Sequence, residues 1–129
     1  MFSLDRLKYP LSYKDIVVIG GEKQHGCIAK EFIAKETIIE VCPILTFKNT
    51  DIKDNVCLDS RFILNEKEFA IPLGNGCSYN HSENNNADYY FEGAYMLVKA
   101  LRDIGEGEQI LINYGETYDY KRNFKNYKL

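Results

Sequence analysis

Tryptophan is absent from this chain, histidine occurs twice and proline three times. The cysteines Cys27, Cys42, Cys57 and Cys77 are too scattered to form a C-x-x-C pair, and two histidines cannot complete a tetrahedral zinc set around them. No metal site is expected. There is no apolar run long enough to span a bilayer, and MFSLDRLKYP carries charges where a signal peptide needs its apolar stretch. The expectation is an intracellular protein with reduced thiols and no membrane contact, so the formal glycosylation triplet Asn80-His81-Ser82 is set aside. An excess of positive charge is lacking too. The net charge of −3 argues against nucleic acid as the main ligand and suits a basic peptide. Lys121, Arg122, Lys125 and Lys128 alternate with aromatic residues near the end, which reads as a solvated helix face.

What is present is the balance of a soluble domain: 129 residues, 45% apolar and 27% charged, enough for one core. Ten tyrosines and seven phenylalanines supply its aromatic bulk. Short β-branched runs between glycine turns predict a mostly-β fold. DIVVIGG (15–21) reads as a buried strand stopped by a Gly-Gly turn, and GCIA (26–29) as a second strand. IIEVCPILTF (38–47) is the strongest strand signal, with Pro43 marking a bulge, bend or edge. One or two strands are expected before Gly74-Asn75-Gly76, two around Glu92-Gly93, and one in EQILINY (108–114). Tyr120, Phe124 and Tyr127 fall at helical spacing. FIAKETII (32–39) and DIGEGEQILI (103–112) echo one another faintly, which reads as two hairpin-like entries rather than a repeat.

The unusual stretch is YNHSENNNAD (79–88). Asparagine is a poor former of strand and helix, so this is either a slack surface loop or a set of amides holding something polar. Taken alone, Asn80-His81 reads as a turn pair satisfying its local backbone.

The order of motifs changes that reading. H-G-C-I-A from His25, L-G-x-G-x-x-Y-N-H-S-x-x-x-N-A from Leu73, and A-L-R-D-I-x-x-G-E-x-I-x-I-N-Y-G from Ala100 together resemble the SET domain of protein-lysine methyltransferases. The resemblance covers residues 15 to 120 and lies nearest the compact single-domain forms of viruses and bacteria. It implies a β-clip-like SET fold of small sheets with a knot-like C-terminal crossing, one domain over 1–129, and residues 121–129 closing the site. It further implies S-adenosylmethionine as cofactor and methylation of a protein lysine, with a histone tail as the leading substrate class. The cofactor would lie against His25, Gly26, Cys27, Asn80, His81 and Tyr114. The Asn80 side chain would hold the methionyl amino group and the His81 main chain the adenine. Tyr114 would be the catalytic residue beside the transferred methyl, and Tyr118 would line the lysine channel with it. Cytoplasm or nucleus, a host nucleus included, are the compartments implied, and a homodimer stays open.

This chain departs from the family pattern at several places. Gln24-His25-Gly26 replaces a G-x-G, Glu36 replaces a turn glycine, and Asn85-Asn86 replaces Pro-Asn. Ser60 stands where a channel tyrosine is frequent, which bears on substrate binding. Glu83 follows the N-H-S triplet and no cysteine follows Cys77, so the family's zinc-bearing tail is absent. Glu40 matches a frequent acid and reads as structural. The rival functions are a catalytically silent cofactor- or peptide-binding module and a small β-domain whose asparagine loop is merely structural.

Overall fold

The computed structural model describes residues 10–48 and 62–114. Among them are β1 (Ser12–Ile19), β2 (Glu22–Ala29), β3 (Ile38–Lys48), β4 (Phe62–Ile63), β5 (Glu68–Pro72), β6 (Asn80–His81), β7 (Ala87–Glu92), β8 (Tyr95–Ala100) and β9 (Gln109–Ile112), with one turn of 3₁₀ helix at Gly76–Ser78. The strands make two sheets, ordered β1-β2-β9-β6 and β4-β5-β3-β8-β7. The mostly-β expectation holds, and the aromatic segment from Tyr120 to Tyr127 lies outside the described residues.

β1 corrects one expectation. Among the described residues it is an edge strand paired only with β2, and Ile16 (53% exposed) and Val18 (66%) face outward. A β-branched run signals extended backbone but cannot report whether a second strand or sheet covers it. The Gly20-Gly21 turn closes the hairpin as expected, with Ile19 opposite Glu22. The polar residues EKQH pair with β1 ahead of GCIA, so β2 is twice the length that its apolar half announces.

β3 is a single strand that changes partners. Ile38 to Pro43 pair with β8, and Ile44 to Lys48 pair with β5 on the opposite side. Pro43, which has no N–H to donate, sits at the changeover. A register shift between Ile38 and Glu40 turns the neighbours Ile39 and Glu40 both inward, which admits a carboxylate to the core. β8 lies between β3 and β7, and Met96, Leu97 and Val98 are all buried in consequence.

The echo between the two turn segments proves to be structural. Ile33 and Ile104 exchange backbone hydrogen bonds, each 2.8 Å. Gly107 and Glu108 bond to Ala29 as Glu36 and Thr37 bond to Ala100. Glu36 even adopts the left-handed backbone (φ 74°) that Gly107 adopts (φ 82°). The second of these turns launches β9. There β6 runs parallel to it, with Asn80 opposite Leu111 and His81 opposite Ile112. The asparagine loop therefore crosses beside the Tyr114 segment, as the sequence led us to expect.

Cys27 and Cys42 are buried thiols. Burial, reinforced by the charge of Glu40, pushes Cys27 up from 9.0 to about 12, and Cys42 rises for the same reasons. In the unfolded chain these thiols ionise near their ordinary value, so their contribution to stability is intact below about pH 9 and is lost as pH rises towards 12. The melting temperature should therefore fall on going from about pH 8.5 to 10.5, less steeply in Cys27→Ala than in wild type. An equal slope in the two proteins would remove Cys27 from this effect.

Candidate active site

Three segments distant in sequence converge on Asn80. Its side-chain nitrogen donates to the His25 carbonyl at 2.9 Å and to Gln109 Oε1 at 2.9 Å. Gly26 makes this approach feasible. A Cβ at Gly26 would stand 2.8 Å from Gln109 Oε1, 3.0 Å from Val17 Cγ2 and 3.1 Å from Asn80 Nδ2. A side chain there would have to displace the Gln109 amide and would crowd Val17 and Asn80.

Tyr114 is tied to the two residues that flank Asn80. Its hydroxyl donates to the Tyr79 carbonyl at 2.5 Å, and its backbone N–H donates to His81 Nδ1 at 2.9 Å. The ring packs edge-on to Phe62 and tilted against His81, with centroids 6.3 and 5.2 Å away. His81 Nδ1 accepts that hydrogen bond, so its lone pair is engaged by the backbone and cannot serve as a base. The hydroxyl of Tyr114 is held by the residue immediately before Asn80.

Beneath these residues is a buried polar network. Tyr79 Oη donates to Glu40 Oε1 at 2.6 Å and lies 2.8 Å from Ser12 Oγ. The Asn75 N–H donates to Glu40 Oε2 at 2.9 Å, and the Asn75 side chain reaches the Ser12 carbonyl at 3.1 Å. Gly74, at φ +65°, passes so close that a Cβ would meet Glu40 Oε2 at 2.5 Å. Burial, then the charge of Glu40, pushes the Tyr79 phenol well above its ordinary value, which keeps it a donor. Tyr79→Phe would strip a buried carboxylate of one donor, so we expect a loss of about 1–3 kcal/mol in denaturant unfolding. A variant as stable as wild type would show that Glu40 does not depend on this bond. The structural reading of Glu40 agrees with this arrangement.

The other asparagines correct the reading of the loop as one set of ligand-holding amides. Asn86 is buried and spends its side chain on β9: Nδ2 donates to the Gln109 carbonyl (2.9 Å) and Glu108 Oε2 (3.1 Å), while Oδ1 accepts from the Leu111 N–H (2.8 Å). Asn85 donates to the Ala87 carbonyl, and the Asn84 N–H to Ser82 Oγ. Burial works against charge at Glu108, but the Gly105 N–H, Arg102 and Asn86 together hold its carboxyl below the usual range. These groups pin the loop in place, and Asn80 alone among the loop asparagines faces Gly26. The Cys27 thiol, grouped with the cofactor residues by resemblance, is fully buried and turned toward the Asn75 carbonyl. Any contact from Cys27 would come from its backbone. Ser60 and Tyr118 lie outside the described residues.

Gln109 and Tyr79 were missed in the sequence. The signal for Gln109 was there: β9 alternates buried Ile110 and Ile112 with half-buried Gln109 and Leu111, which sets Gln109 on the face opposite the core. Nothing in the sequence paired Tyr79 with Glu40.

Residues 24–115 match the SET domain family. The chain belongs to that family. This SET domain is 26% identical over 116 residues to a Schizosaccharomyces pombe histone-lysine N-methyltransferase specific for H3 lysine-37, covering 85% of this chain and 76% of that protein. A crystal structure of a Plasmodium falciparum protein described as a candidate histone methyltransferase superposes with a TM-score of 0.66 at 30% identity, covering 80% of this chain and 93% of the other. The SET domain's segments at Gly26, Asn80 and Tyr114 are the ones on which the resemblance rested, and they meet at one place. Among its described residues no group of three or more histidine, cysteine or acidic side chains could hold a metal.

The residues fit an adenosyl amino acid. Both N–H groups of Asn80 are spent on acceptors, and among the described residues nothing donates to its Oδ1. A half-buried amide oxygen beside a glycine is suited to an ammonium group.

Proposed function

We propose that this SET domain transfers a methyl group from S-adenosylmethionine to a lysine side chain of a protein, a histone tail being the leading class. The observation that carries this reading is that the Gly26, Asn80 and Tyr114 segments are tied together: Asn80 Nδ2 donates to the His25 carbonyl beside Gly26, and the Tyr114 hydroxyl donates to the Tyr79 carbonyl beside Asn80. The similarity to histone-lysine methyltransferases supports the substrate class, and a nuclear target fits it. A net charge of −3 tolerates a basic tail.

When bound, S-adenosylmethionine supplies an electrophilic methyl on a sulfonium. The chain's own residues hold and orient. Asn80 and Gly26 receive the amino-acid end, the His81 main chain the adenine, and Tyr114 orients the attacking amine in line. That amine must be neutral. With an ordinary pKa of about 10.4, deprotonation at pH 7 costs about 4–5 kcal/mol. Among the described residues neither Glu108 nor His81 is free to serve as its base, because Glu108 is held by Gly105, Arg102 and Asn86 and the His81 Nδ1 lone pair by Tyr114. The proton leaves to solvent before the channel closes, and an aromatic lining disfavours its return. By the family resemblance, Tyr118 would complete that lining with Tyr114, and Ser60 in place of a tyrosine would leave it wider.

Calorimetric titration with S-adenosylmethionine, followed by a turnover assay on the same sample, tests this reading. Binding with turnover is expected. Binding without turnover would point to a silent module, and no binding to a structural loop.

A further inference from the structure

The geometry points to Gln109 as a positioning residue: it fixes which way the Asn80 carboxamide faces and thereby gives the site its preference for a ligand bearing an ammonium group. This inference rests on the cofactor reading of Asn80 and extends it to a residue that acts through Asn80.

The argument begins at the His25 carbonyl. A carbonyl oxygen can only accept, so the Asn80 edge facing it at 2.9 Å must be the nitrogen. The second N–H of that nitrogen then needs an acceptor of its own, and Gln109 presents Oε1 at 2.9 Å. Two acceptors on one side leave Asn80 a single outward group, the acceptor Oδ1. Turning the amide over would press its oxygen against the His25 carbonyl and Gln109 Oε1 together. Gly26 belongs to the same device, since a Cβ there would occupy the space through which the Gln109 amide reaches Asn80. Three residues of two separate motifs, His25 and Gly26 from the first and Gln109 from the last, thus fix the chemical identity of one ligand-facing atom.

An acceptor without donor character recognises an ammonium and offers nothing to a hydrogen or a keto oxygen at the same position. Losing Gln109 frees one Asn80 N–H and leaves the His25 carbonyl alone to hold the amide's orientation, which loosens it. The effect should therefore appear in the recognition of one ligand group and leave the others untouched.

The test is calorimetry on the full chain with S-adenosylhomocysteine and its desamino analogue, which lacks only the α-amino group. For Gln109→Leu we expect binding of S-adenosylhomocysteine to weaken by about tenfold, the scale of one hydrogen bond to a charged group. The desamino analogue should bind wild type and variant alike. Gln109→Glu keeps an acceptor toward Asn80 and should retain S-adenosylhomocysteine affinity within about threefold. If Gln109→Leu does not fold, Gln109→Lys makes the same comparison, because it places a donor where the acceptor was. A variant that weakens both ligands equally, or neither, would overturn the positioning role. Failure of wild type to bind S-adenosylhomocysteine would overturn the cofactor reading itself, and this inference with it.

Discussion

Tyr114→Phe is expected to slow single-turnover methyl transfer by about 10²-fold while leaving cofactor affinity nearly unchanged. The substitution removes one oxygen and keeps the ring, so the edge-on contact with Phe62 and the tilted contact with His81 survive. The backbone bond from Tyr114 N–H to His81 Nδ1 survives as well. What disappears is the hydroxyl held by the Tyr79 carbonyl, the group proposed to orient the amine. The stability cost should stay near 1 kcal/mol, the worth of one partly buried hydrogen bond. Rate measured at saturating cofactor, with melting temperature recorded alongside, separates the two effects. A rate within about twofold of wild type would remove Tyr114 from the catalytic role.

Asn80→Ala should act on binding instead. It deletes the acceptor proposed for the ligand's ammonium, a charge-assisted contact worth about 1.5–3 kcal/mol, so the dissociation constant should rise by about one to two orders of magnitude. It also strips the His25 carbonyl and Gln109 Oε1 of their donor, two hydrogen bonds where Tyr114→Phe loses one, so its stability loss should be the larger. Equilibrium binding on folded protein, confirmed by an unchanged circular dichroism spectrum, is the measurement. An unchanged dissociation constant would exclude Asn80 from the cofactor site. The two variants should therefore fail differently, one in rate and one in affinity.

The strands were legible where burial and pattern coincide. The apolar run of β3 and the hairpin at Glu92-Gly93 announced themselves, because β-branched residues flanked by turn glycine have few other solutions. β1 misled because its isoleucines and valines describe backbone preference, whereas its place at a sheet edge is decided by strands far away in sequence. The Glu22–His25 half of β2 was invisible because a polar ladder exposed on both faces carries no hydrophobic period. For the candidate site, the segments carrying Gly26, Asn80 and Tyr114 were legible as motifs in order. The separate duties of the asparagines were not, since Asn80 and Asn86 are chemically identical and only the strand each faces assigns one to the site and the other to β9. The Tyr79–Glu40 bond joins residues far apart in sequence through a register shift that nothing local foretells.

Transfer of labelled methyl from S-adenosylmethionine to a panel of purified histones and cell-extract proteins tests the central claim most directly. The account predicts label on protein lysine, located by fragmentation mass spectrometry, abolished when that lysine is replaced by arginine and reduced about 10²-fold with Tyr114→Phe. Tight cofactor binding with no label on any protein, or label on a side chain other than lysine, would contradict it.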